Sequence, residues 1–378
     1  MIMALCTIPC AIYRGGTSKG IMVRGRDLPA DPTERDRILL RLFGSPDSRQ
    51  IDGLGGATPT TSKLAIVEAS SRLDADVDYT FGQVSIDEPY IDYRPNCGNI
   101  SSAVGPFAVN SGLVDVQRDG IATVRIYNTN TDALIVSHFA VKDRRFAPEG
   151  DTSIAGVPGT GSPIYLDFFR IGGGVSGSLL PTGRRVDEVV IKDGRRFRVT
   201  VIDAGNLTVL MAAEELGLLG SEVREVDMKH AWPTIEWVRQ QVGRMLGLYD
   251  EHEIINPTTH ALPKIALVHT PVAYQTTSGS AVEACAYDIS ARVLTMGRLH
   301  PTYAVTGAIA LAVACKLPGT VAHDHVSELG KAPGMIRIGH PAGILEVGAE
   351  VEDDTVPRVT KVTLMRTARP LIAGMAWI

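Results

Sequence analysis

The chain has 378 residues, 44% of them hydrophobic and 21% charged, which are ordinary values for a globular protein with a buried core. The formal net charge is −5 and no run of Lys or Arg exceeds two residues, so the composition gives no support to a nucleic-acid partner. The apolar stretches are too short to span a bilayer, and the N-terminus lacks the basic segment of a secretory signal. We therefore expect a cytoplasmic protein with no nucleic-acid and no membrane partner.

The first half of the chain consists mainly of short strand-like segments. A helix is indicated at 32–44, which begins with Pro32, is acidic in its first turn and ends at Gly44. Glycine-rich stretches at 156–163 and 171–178 predict surface loops near the midpoint. β-branched residues and near-alternation of apolar and polar side chains predict strands at 8–14, 20–25, 64–70, 122–128, 133–141 and 163–169.

The second half continues in the same way, with an amphipathic helix indicated at 232–248. The same strand signals are found at 188–194, 197–205, 207–213 and 264–270. This mixture favours an α+β fold with much antiparallel sheet over a regular βαβ alternation. We place the two domains at 1–185 and 186–365, with 366–378 as a segment that can return to the first half.

Two segments of small and apolar residues, 96–114 and 303–321, each follow a predicted strand and run for more than ten residues without a charge. A helix of this composition is buried on all sides. Its first N–H groups lack intrahelical acceptors and its dipole is positive at that end, so each N-terminus is suited to bind an anion. The segments 15–23 and 204–212 also resemble each other. We interpret the chain as two halves of one design, whose helices direct their N-termini at a shared cleft.

Cysteine and histidine spacing gives no indication of a metal. The five cysteines are scattered without a CxxC pair, which argues against both a disulfide framework and a zinc site. His323 and His325 lie close together, but no third ligand accompanies them, and we interpret them as part of a solvated loop. The sequence therefore predicts no metal.

Eight motifs run along nearly the whole chain: RGGTSKG (14–20), GSPDSRQIDGLGGATPTTSK (44–63), DVDYTFGQVSI (76–86), NCGN (96–99), LLPTG (179–183), LHPTYAVTGA (299–308), GHPAG (339–343) and RTAR (366–369). In these motifs the chain resembles the PrpF-type 2-methylaconitate isomerase family of the diaminopimelate-epimerase-like superfamily, with methylitaconate and oxalomesaconate isomerases among its members. The resemblance implies two similar halves, each a mostly antiparallel sheet wrapped around a central buried helix, with the active site between them.

The resemblance also implies the catalytic residues. The parent epimerases use two cysteines as paired acid and base; the first corresponds to Cys97, whereas Ala304 takes the place of the second. A two-cysteine racemase, and with it an amino-acid epimerase, is therefore disfavoured. The lysine of the family's TSK motif corresponds to Lys63, which the resemblance makes the principal base, with Cys97 close by.

A lysine suits this chemistry. A proton allylic to a C=C bond that carboxylates activate is weakly acidic, so its base must be strong and yet neutral at pH 7. A lysine amine meets both conditions when burial and nearby positive potential favour its neutral form. Helix N-termini would supply that potential and would also stabilise the dienolate that forms on deprotonation. Lys63 could then return the proton at the far end of the allyl system, without any cofactor.

Cys97 has two interpretations. A lone cysteine is usually a small buried residue, but a position at the start of a helix favours a functional thiolate or proton donor. With the motif match we favour a functional role. The backbone N–H groups of Cys97, Gly98 and Asn99 can matter more than the sulfur.

The remaining candidates are substrate-binding residues. GGTSKG lacks the spacing of a P-loop or of a dinucleotide-binding turn, but Thr17, Ser18 and Lys19 offer hydroxyls and charge to a substrate carboxylate, with Ser18 favoured. A bidentate arginine would suit a carboxylate well; the alternatives are a surface ion pair for Arg292 and a satisfied turn residue for His300. The resemblance adds these further substrate contacts: Ser62, Asn96, Gly98, Asn99, Arg292, Met296, His300, Thr306 and Gly307.

The leading hypothesis is a cofactor-independent isomerase that shifts a C=C bond by 1,3-allylic proton transfer in an unsaturated di- or tricarboxylate. A cis–trans isomerase of 2-methylaconitate or aconitate is the first alternative, because rotation before reprotonation would use the same deprotonation. The second is a non-catalytic accessory protein that only binds a carboxylate. The expected partner is the small-molecule substrate, and a homo-oligomer is left open.

Overall fold

The computed structural model of the protein describes residues 7–191, 193–257 and 260–378, so Cys6 and Lys192 lie outside the described residues. The described chain forms two compact units. Unit 1 contains the described residues up to Asp167 and the C-terminal segment Met365–Ile378, and unit 2 is Phe168–Leu364. The domain boundary expected at 185 lies inside unit 2.

The described residues form twenty-one strands and six α-helices. Strands β1 to β21 are, in chain order, Thr7–Gly15, Ser18–Arg24, Lys63–Ala69, Val77–Val84, Ile91–Asp92, Gly120–Asn128, Ala133–Lys142, Arg145–Phe146, Ile164–Phe169, Asp187–Val190, Arg196–Ala204, Asn206–Ala212, Lys264–His269, Tyr274–Gln275, Ala281–Val282, Ile289–Thr295, Arg298–Leu299, Met335–His340, Gly343–Glu352, Arg358–Arg366 and Ala368–Trp377. Helices α1 to α6 are Pro32–Phe43, Gly98–Asn110, Trp232–Met245, Val305–Lys316, Val321–His325 and Glu328–Lys331. Short 3₁₀ helices lie at Gly25–Asp27, Glu214–Leu216, Glu225–Met228 and Ala284–Ala286. Each predicted strand corresponds to a strand of the structure.

The helices predicted at 32–44 and 232–248 are confirmed as α1 and α3. Helix α1 begins where predicted because Asp31 accepts a hydrogen bond from the Glu34 N–H at 2.8 Å, and it ends where Gly44 adopts a φ of +75°.

The prediction of a solvated loop at His323 and His325 is wrong. These residues belong to helix α5, whose start is capped by Thr320 Oγ1, which accepts a hydrogen bond from the His323 N–H at 3.1 Å. His323 Nδ1 forms a hydrogen bond with the carbonyl of Cys315, and His325 Nδ1 forms one with the carbonyl of Val321.

Unit 1 is a sheet wrapped around helix α2. Strands β1 and β2 form an antiparallel hairpin, β2 runs parallel to β3, and β3 is antiparallel to β4. Strand β21 returns to pair with β1, and β6 pairs with β4 and β7. Helix α2 is buried from Gly98 to Val109 and contacts β1, β2, β3, β6, β7, β8 and β21. Its lack of charge is explained by this enclosure.

Unit 2 repeats this order. Strands β11 and β12 form an antiparallel hairpin, β12 runs parallel to β13, and β13 is antiparallel to β16. Helix α4 is buried from Val305 to Cys315 and contacts β11, β12 and β19. Two similar halves, each with a mostly antiparallel sheet around a buried helix, are therefore confirmed. None of the described helices has both the length and the apolar character that crossing a membrane requires.

Candidate active site

The turn between β1 and β2 lies against the first turn of helix α2. A Cβ on Gly15 would lie 2.5 Å from the carbonyl oxygen of Asn99. Gly16 has a φ of +51°, and a Cβ there would lie 2.1 Å from Asn99 Oδ1. Asn99 Nδ2 in turn donates to Thr17 Oγ1 at 3.1 Å. The two glycines are therefore needed for the close approach of the turn to the helix.

Ser18 and Lys19 lie on opposite faces of β2. Ser18 pairs with Gly15 across the hairpin, so its side chain lies on the face that contacts α2. It is 2% exposed, and its Oγ has no hydrogen-bond partner among the described residues. Lys19 Nζ instead lies near Gly56, 3.3 Å from the position of a Cβ on that glycine. The structure brings Thr17 and Ser18 to the start of α2 and separates Lys19 from them.

Cys97 is the N-cap residue of helix α2 and is 8% exposed. Its side chain makes no capping hydrogen bond, and its backbone N–H donates to Asn96 Oδ1 at 2.6 Å. The Ser101 N–H donates to the Cys97 carbonyl at 2.9 Å, as the first bond of the helix ladder. The N–H groups of Gly98 and Asn99 therefore have no acceptor within the helix. They form a set of donors at the positive end of the helix dipole.

Lys63 begins β3 and is 8% exposed. It lies beside Gly20 of β2, where a Cβ would be 3.0 Å from the side chain of Ile100 in α2, so this face of the sheet faces the helix. Lys63 Nζ donates to Gln83 Oε1 at 2.8 Å and lies 5.2 Å from the centroid of the Phe81 ring. No carboxylate in the described part of the chain forms an ion pair with this amine.

Gln83 is a residue that sequence reasoning missed. Its Nε2 donates to the carbonyls of Ser62 and Pro59 at 3.0 and 3.3 Å, which directs Oε1 at Lys63. Ser62 itself is fully buried, and its Oγ donates to Gln50 Oε1 at 2.7 Å. Ser62 therefore supports the Lys63 site through its backbone. Gln83 lies within a family motif, but only the register of β3 and β4 places it opposite the lysine.

Tyr79 is a further titratable side chain of β4. It lies four residues before Gln83 and therefore on the same face of the strand. Burial raises the pKa of Tyr79 well above its ordinary value, and the nearby Cys97 raises it further. The phenol is therefore neutral and protonated at pH 7, and it cannot serve as a base. Lys63 and Cys97 remain as the candidate bases of this site.

Replacing Gln83 by leucine is expected to lower kcat about tenfold with little change in KM, because the Lys63 amine loses the acceptor that orients it. Replacing it by glutamate should lower kcat further and move its pH profile to higher pH, because a carboxylate beside the amine favours the ammonium form. Steady-state kinetics between pH 6 and 10 measure both effects. A glutamate variant with the wild-type pH profile would contradict this positioning role.

Unit 2 has a corresponding arrangement at the start of helix α4, with different side chains. Its N-cap residue is Ala304. Gly205, with a φ of +73°, is the single residue that joins β11 to β12, and a Cβ there would lie 3.2 Å from the carbonyl oxygen of Thr306. Asn206 Nδ2 donates to Thr306 Oγ1 at 2.9 Å. Lys264 begins β13 as the unit 1 lysine begins β3, and its Nζ donates to Thr306 Oγ1 at 3.2 Å. Sequence reasoning missed Lys264, which lies outside the eight family motifs.

Arg292 is 2% exposed and is bound by backbone carbonyls of unit 2. Its Nε donates to Glu222, its Nη1 to Ala291 and Gly339, and its Nη2 to Gly220. These bonds explain how the guanidinium is held without a carboxylate. The structure thus gives Arg292 a structural role within unit 2, and its contact with a substrate stays a prediction.

The other unit 2 candidates lie on β16, β17 and α4. His300 is 4% exposed, and its Nδ1 accepts the Thr302 N–H at 3.2 Å, so the neutral ring carries its proton on Nε2. Met296 and Gly297, with φ of +50° and +69°, form the two-residue turn between β16 and β17. Gly307 lies in the first turn of α4. The substrate contacts of His300, Met296 and Gly307 stay predictions.

Comparison with known proteins gives full-length similarities. A family model described as PrpF protein matches residues 5–378. The chain is 40% identical over 374 residues to a 3-methylitaconate isomerase from Eubacterium barkeri, with 98% of this chain and 97% of the relative covered. It is 39% identical to a 4-oxalomesaconate tautomerase from Pseudomonas putida (100% and 97% covered) and 38% identical to a 2-methyl-aconitate isomerase from Shewanella oneidensis (97% and 96% covered).

Solved structures give a similar result. The crystal structure of a methylitaconate-delta-isomerase superposes with a TM-score of 0.80 at 39% identity, covering 99% of this chain and 96% of that one. A hydroxyproline epimerase from Agrobacterium vitis superposes with a TM-score of 0.58 at 12% identity, covering 98% and 93%, which shows a shared fold alone.

Proposed function

The chain belongs to the PrpF family and is an isomerase that acts on unsaturated carboxylates, and from this premise we propose that its reaction is a 1,3-allylic proton transfer in a di- or tricarboxylate. The observation that carries this proposal is the buried Lys63 amine, which has no ion pair in the described part of unit 1 and which Gln83 orients on the face of the sheet that faces α2.

In this proposal the Lys63 amine removes a proton from the carbon allylic to the substrate double bond. The electron pair of that C–H bond forms the new C=C bond, and the negative charge moves onto the neighbouring carboxylate as a dienolate. Backbone N–H groups at the start of α2 and the Ser18 hydroxyl are suited to stabilise this charge, because they are already oriented before it develops. The Lys63 ammonium then protonates the far carbon of the allyl system, and the double bond has moved.

A cis–trans isomerase remains the second candidate, and one relative, a 2-methyl-aconitate isomerase, supports its inclusion in the test. The experiment is to incubate the protein in deuterium oxide with methylitaconate, oxalomesaconate, 2-methylaconitate and both aconitates, and to follow each by proton NMR. We expect one compound to shift its double bond and to gain deuterium at the two ends of the allyl system. A changed double-bond geometry without a shift favours the second candidate, and binding of these compounds without any exchange would contradict the proposed proton transfer.

Turnover is expected to survive exhaustive dialysis against a chelator without added nucleotide. The described residues contain no group of three side chains able to hold a metal ion, and the proposed proton transfer needs none. The initial rate before and after dialysis, with the metal content measured in parallel, checks this. Loss of turnover that a divalent ion restores would contradict it.

A further inference from the structure

Arg366, the last residue of β20, is a buried arginine whose donors are largely unused. It is 6% exposed, and its one described hydrogen bond runs from Nη1 to the carbonyl of Met365 at 3.1 Å. Its Nε is fully buried and has no partner, and no carboxylate of the described residues forms an ion pair with it. Burial alone lowers the pKa of Arg366 to about 10, so the group is still a cation at neutral pH.

A comparison with the buried Arg292 shows why this is unusual. Both guanidinium groups lack a carboxylate partner in the described parts of their units, but Arg292 donates to four backbone carbonyls, which replace the water it has lost. Arg366 has no such set of acceptors. A buried cation without acceptors is costly. The cost is removed if an anion supplies the missing acceptors when it binds.

The place of Arg366 in unit 1 connects it to the candidate active site. Its Cδ lies 3.2 Å from the position of a Cβ on Gly16, and the same position is 2.1 Å from Asn99 Oδ1. The Gly16 N–H donates to the carbonyl of Thr367 at 2.9 Å, which fixes the turn to the chain just after Arg366. Arg366 therefore flanks the turn on which Ser18 presents its unpartnered hydroxyl toward the start of α2.

We propose that Arg366 and Ser18 together bind one carboxylate group of the substrate at the start of helix α2. The carboxylate would accept from the guanidinium and from the Ser18 hydroxyl, while the helix N–H groups face the same charge. A substrate bound through one terminal carboxylate in this way would leave its carbon skeleton free to extend toward Lys63. The chemical class of the ligand rests on the proposed function, whereas the anion site rests on the two buried donors.

The test uses propane-1,2,3-tricarboxylate, a saturated tricarboxylate that cannot react, with its Kd measured by calorimetry. Replacing Arg366 by methionine, which keeps the buried stem, is expected to raise Kd about 10- to 100-fold. Replacing it by lysine should raise Kd less, because the positive charge stays but the bidentate hydrogen bonding of the guanidinium group is lost. Arg358 is the matched control: it begins the same strand, is exposed and pairs with Glu352, so its replacement by methionine should leave Kd within twofold.

Thermal unfolding separates ligand binding from a structural role. If Arg366 serves the ligand, the methionine variant without ligand should unfold at the wild-type temperature or above it, because an unpaired buried cation has been removed. The rise in unfolding temperature that the tricarboxylate gives to the wild type should then be lost. A lower unfolding temperature with an unchanged Kd, or a wild type that does not bind the probe, would overturn the inference. If the probe binds through Arg366 but no compound of the NMR panel reacts, the proposed function fails and the anion site stands.

Discussion

Replacing Lys63 by methionine is expected to lower kcat by about 10²–10⁴-fold or more, the usual contribution of a general base. Methionine retains an apolar stem beside Phe81, so the variant loses the amine and little of the packing. The amine is the group on which the proposed reaction depends twice, first as base and then as acid. The rate of double-bond migration, followed by ultraviolet absorbance with the substrate that the NMR panel identifies, measures the effect.

The control for this variant is Lys142→Met, which changes an exposed lysine at the end of β7 in the same unit. We expect its kcat to equal that of the wild type and both variants to show the wild-type circular dichroism spectrum. A folded Lys63→Met variant with more than a tenth of the wild-type kcat would rule out Lys63 as the base.

Replacing Cys97 is expected to separate the contribution of the thiol to catalysis from that of the backbone N–H groups at the start of α2. Cys97→Ser should keep kcat within about 100-fold of the wild type, because serine is a good N-cap residue and the N–H groups of Gly98 and Asn99 stay in place. Cys97→Leu should lose more than about 10³-fold, because the residue is 8% exposed and a larger side chain would occupy the space before these donors. Measurement of kcat and of deuterium exchange at matched folded fractions checks both. A serine variant as inactive as Lys63→Met would make the thiol an obligatory acid or base.

Local signals predicted the local parts of the fold. Helix α1 was predictable because Pro32, an acidic first turn and Gly44 mark its ends within one segment. Helices α2 and α4 were predictable as buried elements because a helix without charge, or with a single charge at its last residue, has no polar face for solvent. The loop expected at His323 and His325 failed because helix α5 has only five residues and its cap, Thr320, gives a weak pattern.

The parts of the site that the sequence did not predict depend on contacts between distant segments. Gln83 acts on Lys63 only because the register of β3 and β4 pairs them. Arg292 is held by the carbonyls of Gly220 and Gly339, which lie far from it in the chain. Arg366, in contrast to Arg292, has few hydrogen-bond acceptors around it among the described residues, and this property depends on the packing of distant segments and not on a sequence motif.

The central claim is that the Lys63 amine moves the allylic proton, and a deuterium-exchange experiment with two lysine variants tests it most directly. Lys63 begins β3 and Lys264 begins β13, and each of these strands pairs in parallel with the second strand of its unit's hairpin. Lys264 is therefore the alternative candidate for the base. Wild type, Lys63→Met and Lys264→Met are incubated with substrate in deuterium oxide, and the loss of the allylic proton signal is followed by NMR. We expect exchange to disappear in Lys63→Met and to remain measurable in Lys264→Met. Exchange at close to the wild-type rate in folded Lys63→Met, or its loss only in Lys264→Met, would contradict the claim.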